Sequence, residues 1–416
     1  MMLSPELADR LRWRIEGYRN AMVDFQRDLT AVNAVGPDGG GEGEWHRAAF
    51  LKEELLRLGL GRAHEYNALD NRVYTGQRPN LVVRLEGREC PPTVWVMAHM
   101  DTVPPGDFDL WDTPPFDVVE REGRLYGRGV EDNQQGLTSA VFAARAVLEE
   151  GLLPTSDVGL LFVSDEESGN RFGLEHVLRE APDLVSPSDL VLVPDFGSAE
   201  GLELEVAEKS ILQVEFTVKG KQAHASMPEL AVNAHRAAAQ LTVRLDLRLH
   251  ARFTRTDPVF LPPESTFEPT RRDSNVPNIN TIPGTDRFCF DCRVLPGEDI
   301  AGVQGQIEET AVQVEQEFGV EVSIAYPGLL PAAPPTAANA PVVPALIDAV
   351  KAIRGGEPRL VGIGGGTVAA VFRRRGIPAV AWSTSDQTAH QPNEYCVVDN
   401  MVSDALVMAH LFLRGQ

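Results

Sequence analysis

Three short apolar runs in this chain end abruptly in acids or histidine, and no other feature constrains the fold as much. Val94-Trp95-Val96-Met97 leads to His99 and Asp101, Val158 to Val163 leads into Ser164-Asp165-Glu166-Glu167-Ser168-Gly169, and Leu190 to Val193 leads into Pro194-Asp195. Runs this short and uniformly apolar, bounded by turn residues, read as strands buried on both faces. Helical patterns surround them, from Ser4 to about Asn33, Trp45 to Leu58 and Gln135 to Glu150. The alternation predicts an α/β domain, a mixed and mostly parallel sheet with helices on both faces. In such sheets the C-terminal ends of the strands are where polar side chains gather into a site.

Between about Val206 and Ala325 the pattern changes. ILQVEFTV alternates as a strand, Ala231 to Leu249 is helical, NINTI and DRFCFDCRVL are strand-like, Ile300 to Phe318 is helical and VEVSIA closes the set. That order, β-α-β-β-α-β, predicts a ferredoxin-like sandwich inserted into the first domain. The expected division is therefore residues 1–205 and 326–416 for the first domain and 206–325 for the insertion. PPESTFEPTRRDSNVP, between the first helix and NINTI, reads as a long functional or disordered loop. After a proline- and alanine-rich hinge, Val342 to Ile353, Leu360 to Gly362, Ile377 to Trp382 and a terminal helix from Asn400 complete the first domain.

A chain of 416 residues is too long for one compact core, and its formal charge of −22 repels nucleic acid and anionic membranes, so neither is an expected partner. The N-terminal pattern is amphipathic and charged, without the apolar core of a signal peptide, and no run is long enough to span a bilayer, which leads to a cytoplasmic expectation. The four cysteines make no disulfide framework. Cys289 and Cys292 form a C-x-x-C, but inside a strand pattern that turns them to opposite faces.

The polar residues that follow strands are His99, Asp101, Asp132, Glu166, Glu167, Asp195 and His390, the last in TSDQTAHQPNE. Asp101 lies two residues beyond His99 on extended chain and can touch its imidazole or a group beside it. So many carboxylates converging on one sheet edge repel unless cations neutralise them. Imidazole mixed with carboxylate suits zinc, with manganese or cobalt as substitutes, better than calcium or magnesium. The ligands are too many for one zinc that keeps an open position, and suit two ions sharing a bridging carboxylate, with a water between them acidified toward neutral pH. Of the adjacent Glu166 and Glu167, one can hold a metal while the other acts as general base.

AHMDTVPPG, GRGVEDNQQG, SDEESG, VPD, GKQAHASMP and AHQPNE, in that order along the chain, resemble the motifs of the co-catalytic zinc amidohydrolases. That family includes acetylornithine deacetylase, succinyl-diaminopimelate desuccinylase, aminoacylase, carboxypeptidase G and several di- and tripeptidases. EKSILQVEFTVKGKQAHASMPE, NVPNINTIPG, FDCRVLPG and GIGGGT carry a finer likeness to archaeal-type desuccinylases. The resemblance implies two zinc ions, with His99 and Asp195 on one, Glu167 and His390 on the other and Asp132 on both. It implies Glu166 as general base, Asp101 as an orienting carboxylate and His224 as the histidine, often acting in the partner subunit, that polarises the scissile carbonyl. It also implies a homodimer formed through the inserted lid domain and a small N-acyl amino acid or short peptide as substrate. In that family the position of Asp195 is often glutamate in deacylases and carboxypeptidases and aspartate in aminopeptidases and dipeptidases. A dipeptidase or aminopeptidase is therefore the alternative to a desuccinylase or deacetylase, with a carboxypeptidase of the same family beside it.

Arg293 reads either as a structural arginine or, with Asn275 and the Gly364-Gly365-Gly366-Thr367 loop, as a grip on a substrate carboxylate. The same glycine loop lacks the third glycine and the early βαβ setting of a dinucleotide fingerprint. His46, His64, His176, His235, His250 and His410 read as surface or core histidines, and Asp112, Asp117 and Glu131 as loop surface.

Overall fold

The computed structural model describes residues 3–415. The chain forms two compact units, one comprising Met1–Val206, Thr336–Leu360 and Thr367–Gln416 and the other Ala207–Pro335 and Val361–Gly366. The first is a mixed α/β unit on an eight-stranded sheet, in the order His64–Glu65, Leu81–Leu85, Ser156–Val163, Glu89–His99, Leu190–Ser198, Ala379–Thr384, Glu203–Glu208, Arg359–Ile363. The central strands, from Ser156–Val163 to Ala379–Thr384, run parallel, while Leu81–Leu85 and Glu203–Glu208 pair antiparallel on either side.

Val94 to Ala98 are fully or almost fully buried, so this strand needs no alternation of polar and apolar residues. A side chain at Gly159 on the adjacent strand would lie 2.2 Å from the Trp95 ring. Glycine leaves room for the indole, whose Nε1 donates to Asp189 Oδ2 at 3.1 Å. The helices Gly136–Glu149 and Val398–Phe412 are buried around most of their circumference. Among the described residues no helix is long and apolar enough to cross a membrane.

The helical stretch expected from Ser4 to Asn33 is two helices, Pro5–Gly17 and Arg19–Ala31. Ser4 caps the first, accepting from the Leu7 amide at 3.3 Å. The break falls where Gly17 weakens the helix and the Tyr18 hydroxyl reaches Glu149 at 2.7 Å.

The second unit carries an antiparallel sheet in the order Thr266–Arg272, Thr285–Val294, Ser210–Lys219, Glu321–Leu330. Helices Ala234–Arg252 and Ile300–Phe318 share its apolar core. Leu212, Val214, Phe216 and Val218 face that core, and Gln213, Glu215, Thr217 and Lys219 lie on the other face. The β-α-β-β-α-β order holds, but its second strand is Thr266–Arg272, inside the stretch expected to be loop. It is an edge strand with only Phe267 buried and a proline at 269, which hides the usual strand pattern. NINTI supplies only Thr281–Ile282, paired with Ala223–His224.

Candidate metal centre

Each candidate ligand of the first unit is delivered by a strand end or the loop beyond it. His99 is the last residue of Glu89–His99. Glu166 and Glu167 follow Ser156–Val163, in a turn opened by Asp165 at a φ of +64°. Asp195 sits in a bulge: Val193 pairs with Ala381 and Gly197 with Ser383, so the strand carries extra residues here. Pro194 has no N–H for a regular ladder, and the bulge re-aims the next side chain. Asp132 lies in the loop ahead of Gly136–Glu149, joined to Asn133 by a cis peptide bond. His390, at a φ of +64°, lies between Ala379–Thr384 and Tyr395–Val397.

These loops converge on Asp132. One of its oxygens, Oδ1, is 2.9 Å from His99 Nε2, and the other, Oδ2, is 3.1 Å from His390 Nε2. Asp195 Oδ1 approaches His99 Nε2 at 3.5 Å, and Glu167 Oε2 approaches His390 Nε2 at 3.1 Å. Two groups result, His99-Asp132-Asp195 and Asp132-Glu167-His390, each offering ligand atoms within 4.8 Å of one another. Glu167 Oε1 is buried without a hydrogen-bond partner. A buried orphan acceptor beside two imidazoles and three carboxylates fits a divalent transition metal.

Electrostatics point the same way. Burial alone would favour a neutral His99, yet its bonds to Asp101, Asp132 and Asp195 raise its pKa well above the usual imidazole value. Bonds to Asp132 and Glu167 raise His390 to about 10. Burial opposes ionisation of Asp132, but the bonds to His390 and His99 hold its pKa below the ordinary carboxylate range. Burial, reinforced by the Asp132 charge, pushes Asp195 up to about 6. Burial and then the Asp195 charge lift Glu166 well above the usual range, and burial lifts Glu167 as well. A crowd of acids held together by imidazolium charge is the setting that a metal cation stabilises.

Further residues fix this geometry. The Asp101 carboxylate accepts from the amides of Glu166 at 3.1 Å and Glu167 at 3.0 Å, while its carbonyl oxygen lies 3.0 Å from His99 Nδ1. Asn133 accepts from the His99 amide at 3.3 Å and donates to the Pro194 carbonyl at 2.7 Å and Asp195 Oδ1 at 3.0 Å. Glu131, expected on the loop surface, is buried and accepts from the amides of Asp386 at 2.8 Å and Ala389 at 3.0 Å, from the Thr388 hydroxyl at 2.8 Å and from the Thr388 amide. Glu394 accepts from the amides of Gly129 and Glu131, each at 3.0 Å, and Asp132 at 3.2 Å, and pairs with Arg128 at 2.6 Å. Sequence reasoning passed over Asn133 and Glu394 and misplaced Glu131. Their one signal was membership in the motifs GRGVEDNQQG and AHQPNE.

A layer of buried charge adjoins the turn of Glu166 and Glu167. Arg78, with no exposure, pairs with Glu44, lies 3.4 Å from Asp70 and lies 3.3 Å from Asp165. Arg47 donates to the carbonyl oxygens of Val32 at 2.9 Å and Met100 at 2.7 Å.

His224, Asn275, Arg293, Gly365 and Gly366 belong to the second unit and Thr367 to the first. His224 is exposed, with Nδ1 2.8 Å from the Ser226 hydroxyl and Nε2 3.4 Å from Asn280 Nδ2. Asn275, expected with Arg293 at a substrate carboxylate, donates to the buried Asp286 at 2.9 Å, while Asn280, which sequence reasoning did not single out, lies beside His224. Arg293 grips both oxygens of Asp291, at 2.5 and 3.0 Å, and donates to the Gly364 carbonyl at 2.7 Å. Thr367 Oγ1 accepts from the Ala369 amide at 3.2 Å, at the start of Ala369–Arg374.

Residues 95–414 match the model of Peptidase family M20/M25/M40. The chain is 36% identical over 401 residues to an uncharacterized metallohydrolase of Methanocaldococcus jannaschii, covering 92% of this chain and 97% of that protein. It is 30% identical over 386 residues to a succinyl-diaminopimelate desuccinylase of Gluconacetobacter diazotrophicus, covering 92% and 93%. Among solved structures, human carnosine dipeptidase 1 superposes with a TM-score of 0.74 at 16% identity, covering 99% of each chain. A dinuclear metal binding peptidase of the M20 family from Bacillus subtilis does so with a TM-score of 0.64 at 14% identity, covering 96% and 98%. With the strand-end carboxylates and histidines meeting on Asp132 and the family model matching well over half of its length, this chain belongs to Peptidase family M20/M25/M40 and is a metallohydrolase.

Proposed function

We propose that this metallohydrolase cleaves the C–N amide bond of a small N-acyl amino acid, as a desuccinylase or deacetylase, with two zinc ions per subunit. The observation that carries the reading is the division of the Asp132 carboxylate, one oxygen facing each histidine-carboxylate group. His99 and Asp195 would hold one ion, Glu167 and His390 the other, and Asp132 both. The Bacillus subtilis relative, described as dinuclear, supports the count, and the mixture of imidazole and carboxylate supports zinc, with cobalt or manganese as substitutes. When bound, such ions polarise a carbonyl oxygen and acidify water.

The chain's own residues do the rest. Glu166 is held by its backbone amide on Asp101, within electrostatic reach of His99, Asp195 and Glu167. It takes a proton from the attacking water and returns it to the leaving amine nitrogen. His224 stabilises the oxyanion, in a homodimer formed through the second unit; Arg293, paired with Asp291 and the Gly364 carbonyl, receives a substrate carboxylate only by giving up those partners. Asp195, an aspartate where related deacylases often carry glutamate, favours a dipeptidase or aminopeptidase as the second reading.

Chelated protein and protein reloaded with zinc, cobalt or manganese, assayed on N-succinyl amino acids, N-acetyl amino acids and dipeptides, test both readings. Activity should vanish on chelation, return with metal and favour one substrate class. Glu166→Ala should abolish turnover, a loss of at least about 100-fold for a general base, while keeping its metal. Hydrolysis indifferent to chelation would overturn the proposal.

A further inference from the structure

The loop that carries His390 is tied internally, with the Gln391 amide donating to the Thr388 carbonyl at 3.2 Å, Gln391 Nε2 to the Gln387 carbonyl at 3.0 Å and the Thr388 hydroxyl to the Tyr395 carbonyl at 2.9 Å, yet its backbone is strained. Gln387, His390 and Asn393 all adopt positive φ, between 60° and 64°, a region that costs L-residues about 1–2 kcal/mol each. His390 is itself 55% exposed, whereas His99 is 1% exposed at the end of a buried strand. Three amides of the loop nonetheless converge on one outside group, the Glu131 carboxylate, whose oxygens accept from the amides of Asp386, Thr388 and Ala389 and from the Thr388 hydroxyl. Glu131 precedes Asp132 directly, so the carboxylate that organises the His390 loop comes from the loop of the shared aspartate. The reverse also holds: Glu394, four residues beyond His390, accepts from the amides of Gly129, Glu131 and Asp132. Each loop is built around an acid contributed by the other.

We propose that Glu131 and Glu394 are positioning residues whose exchanged carboxylates fix the spacing of Asp132 and His390, and with it the site of the ion held by Glu167 and His390, a role that rests on the two-ion reading above. His99 and Asp195 are held by their strands and by the Asn133 side chain, none of which bonds to the Glu131 carboxylate. Loss of Glu131 should therefore release His390 and leave the inner pair intact. Removing a group that orients a metal ligand weakens metal affinity by about 10–100-fold, and here the loss should fall on one ion of the two.

The test is titration of metal-free full-length protein with cobalt, followed by calorimetry and visible absorption, for wild type, Glu131→Ala and His390→Ala. Wild type should bind two ions. Glu131→Ala should bind the first as wild type does and the second about 10–100-fold more weakly, approaching the His390→Ala isotherm. Circular dichroism and thermal unfolding of the metal-free variant establish that it is folded. If the alanine variant does not fold, Glu131→Gln replaces it, since the amide keeps the volume but turns a donor toward the amides it must accept from. A folded variant with an unchanged second affinity, or with both ions weakened alike, would overturn the positioning role. Uptake of a single ion by wild type would instead sink the two-ion reading itself.

Discussion

Replacing Arg78 by methionine tests the charge layer next to Glu166 and Glu167. Both Arg78 and Glu44 have no side-chain exposure, and Asp165, 3.3 Å from Arg78, directly precedes Glu166. Removing one member of a buried pair leaves its partner charged and unpaired, at a cost of about 3–5 kcal/mol. That is a large share of the 5–15 kcal/mol by which a typical protein is stable. Burial already raises the Glu44 pKa, against the lowering effect of Arg78, and without the guanidinium it should rise further. A carboxyl whose folded pKa exceeds its unfolded value contributes stability below the unfolded pKa and loses it as pH rises through the folded pKa. The Arg78→Met penalty should therefore be smaller at pH 5 than at pH 8. Urea unfolding followed by tryptophan fluorescence isolates the effect, because Trp13, Trp45, Trp95, Trp111 and Trp382 all lie in the first unit. A double variant, Arg78→Met with Glu44→Leu, should recover most of the loss. A single-variant penalty under about 1 kcal/mol, or one independent of pH, would refute the reasoning, since the cost cited for an unpaired buried charge is several times larger.

Two further predictions concern the same unit. Burial, with the Arg12 charge adding, pushes His410 down from 6.5 to about 4, and its Nε2 is buried without a partner. The folded state thus resists protonation: stability is full above about pH 6.5 and falls as pH drops toward about 4, by at most about 3 kcal/mol. His410→Leu should remove much of the difference between urea midpoints at pH 4.5 and pH 7, and an unchanged difference would exclude His410 as its source. Gly159→Ala should cost about 1–3 kcal/mol by overpacking against the Trp95 ring, read as a lower urea midpoint, and an unaltered midpoint would show that the indole can move aside.

The central strands were legible because burial on both faces leaves a continuous apolar run, as at Val94 to Ala98. His99, Glu167 and Asp195 were legible because they follow those runs directly, and with Asp132 and His390 from longer loops they fall into the two groups around Asp132. Glu131 was not, since a loop acid reads the same whether it faces water or organises a second loop more than 250 residues away. Arg78 stayed hidden for a related reason: nothing local marks an arginine as buried when its partner Glu44 lies 34 residues earlier. Thr266–Arg272 escaped notice because an edge strand needs little apolar content, and Pro269 argues locally against a strand.

The two histidines on Asp132 inhabit different environments, one sealed at the end of a core strand and the other on a surface loop. Local opening of a surface loop requires far less free energy than unfolding of a core strand. If His390 holds one of the two proposed ions, warming or mild denaturant should silence the hydrolase while its sheet remains intact. On that reading a melting temperature alone would overstate how long the hydrolase keeps working.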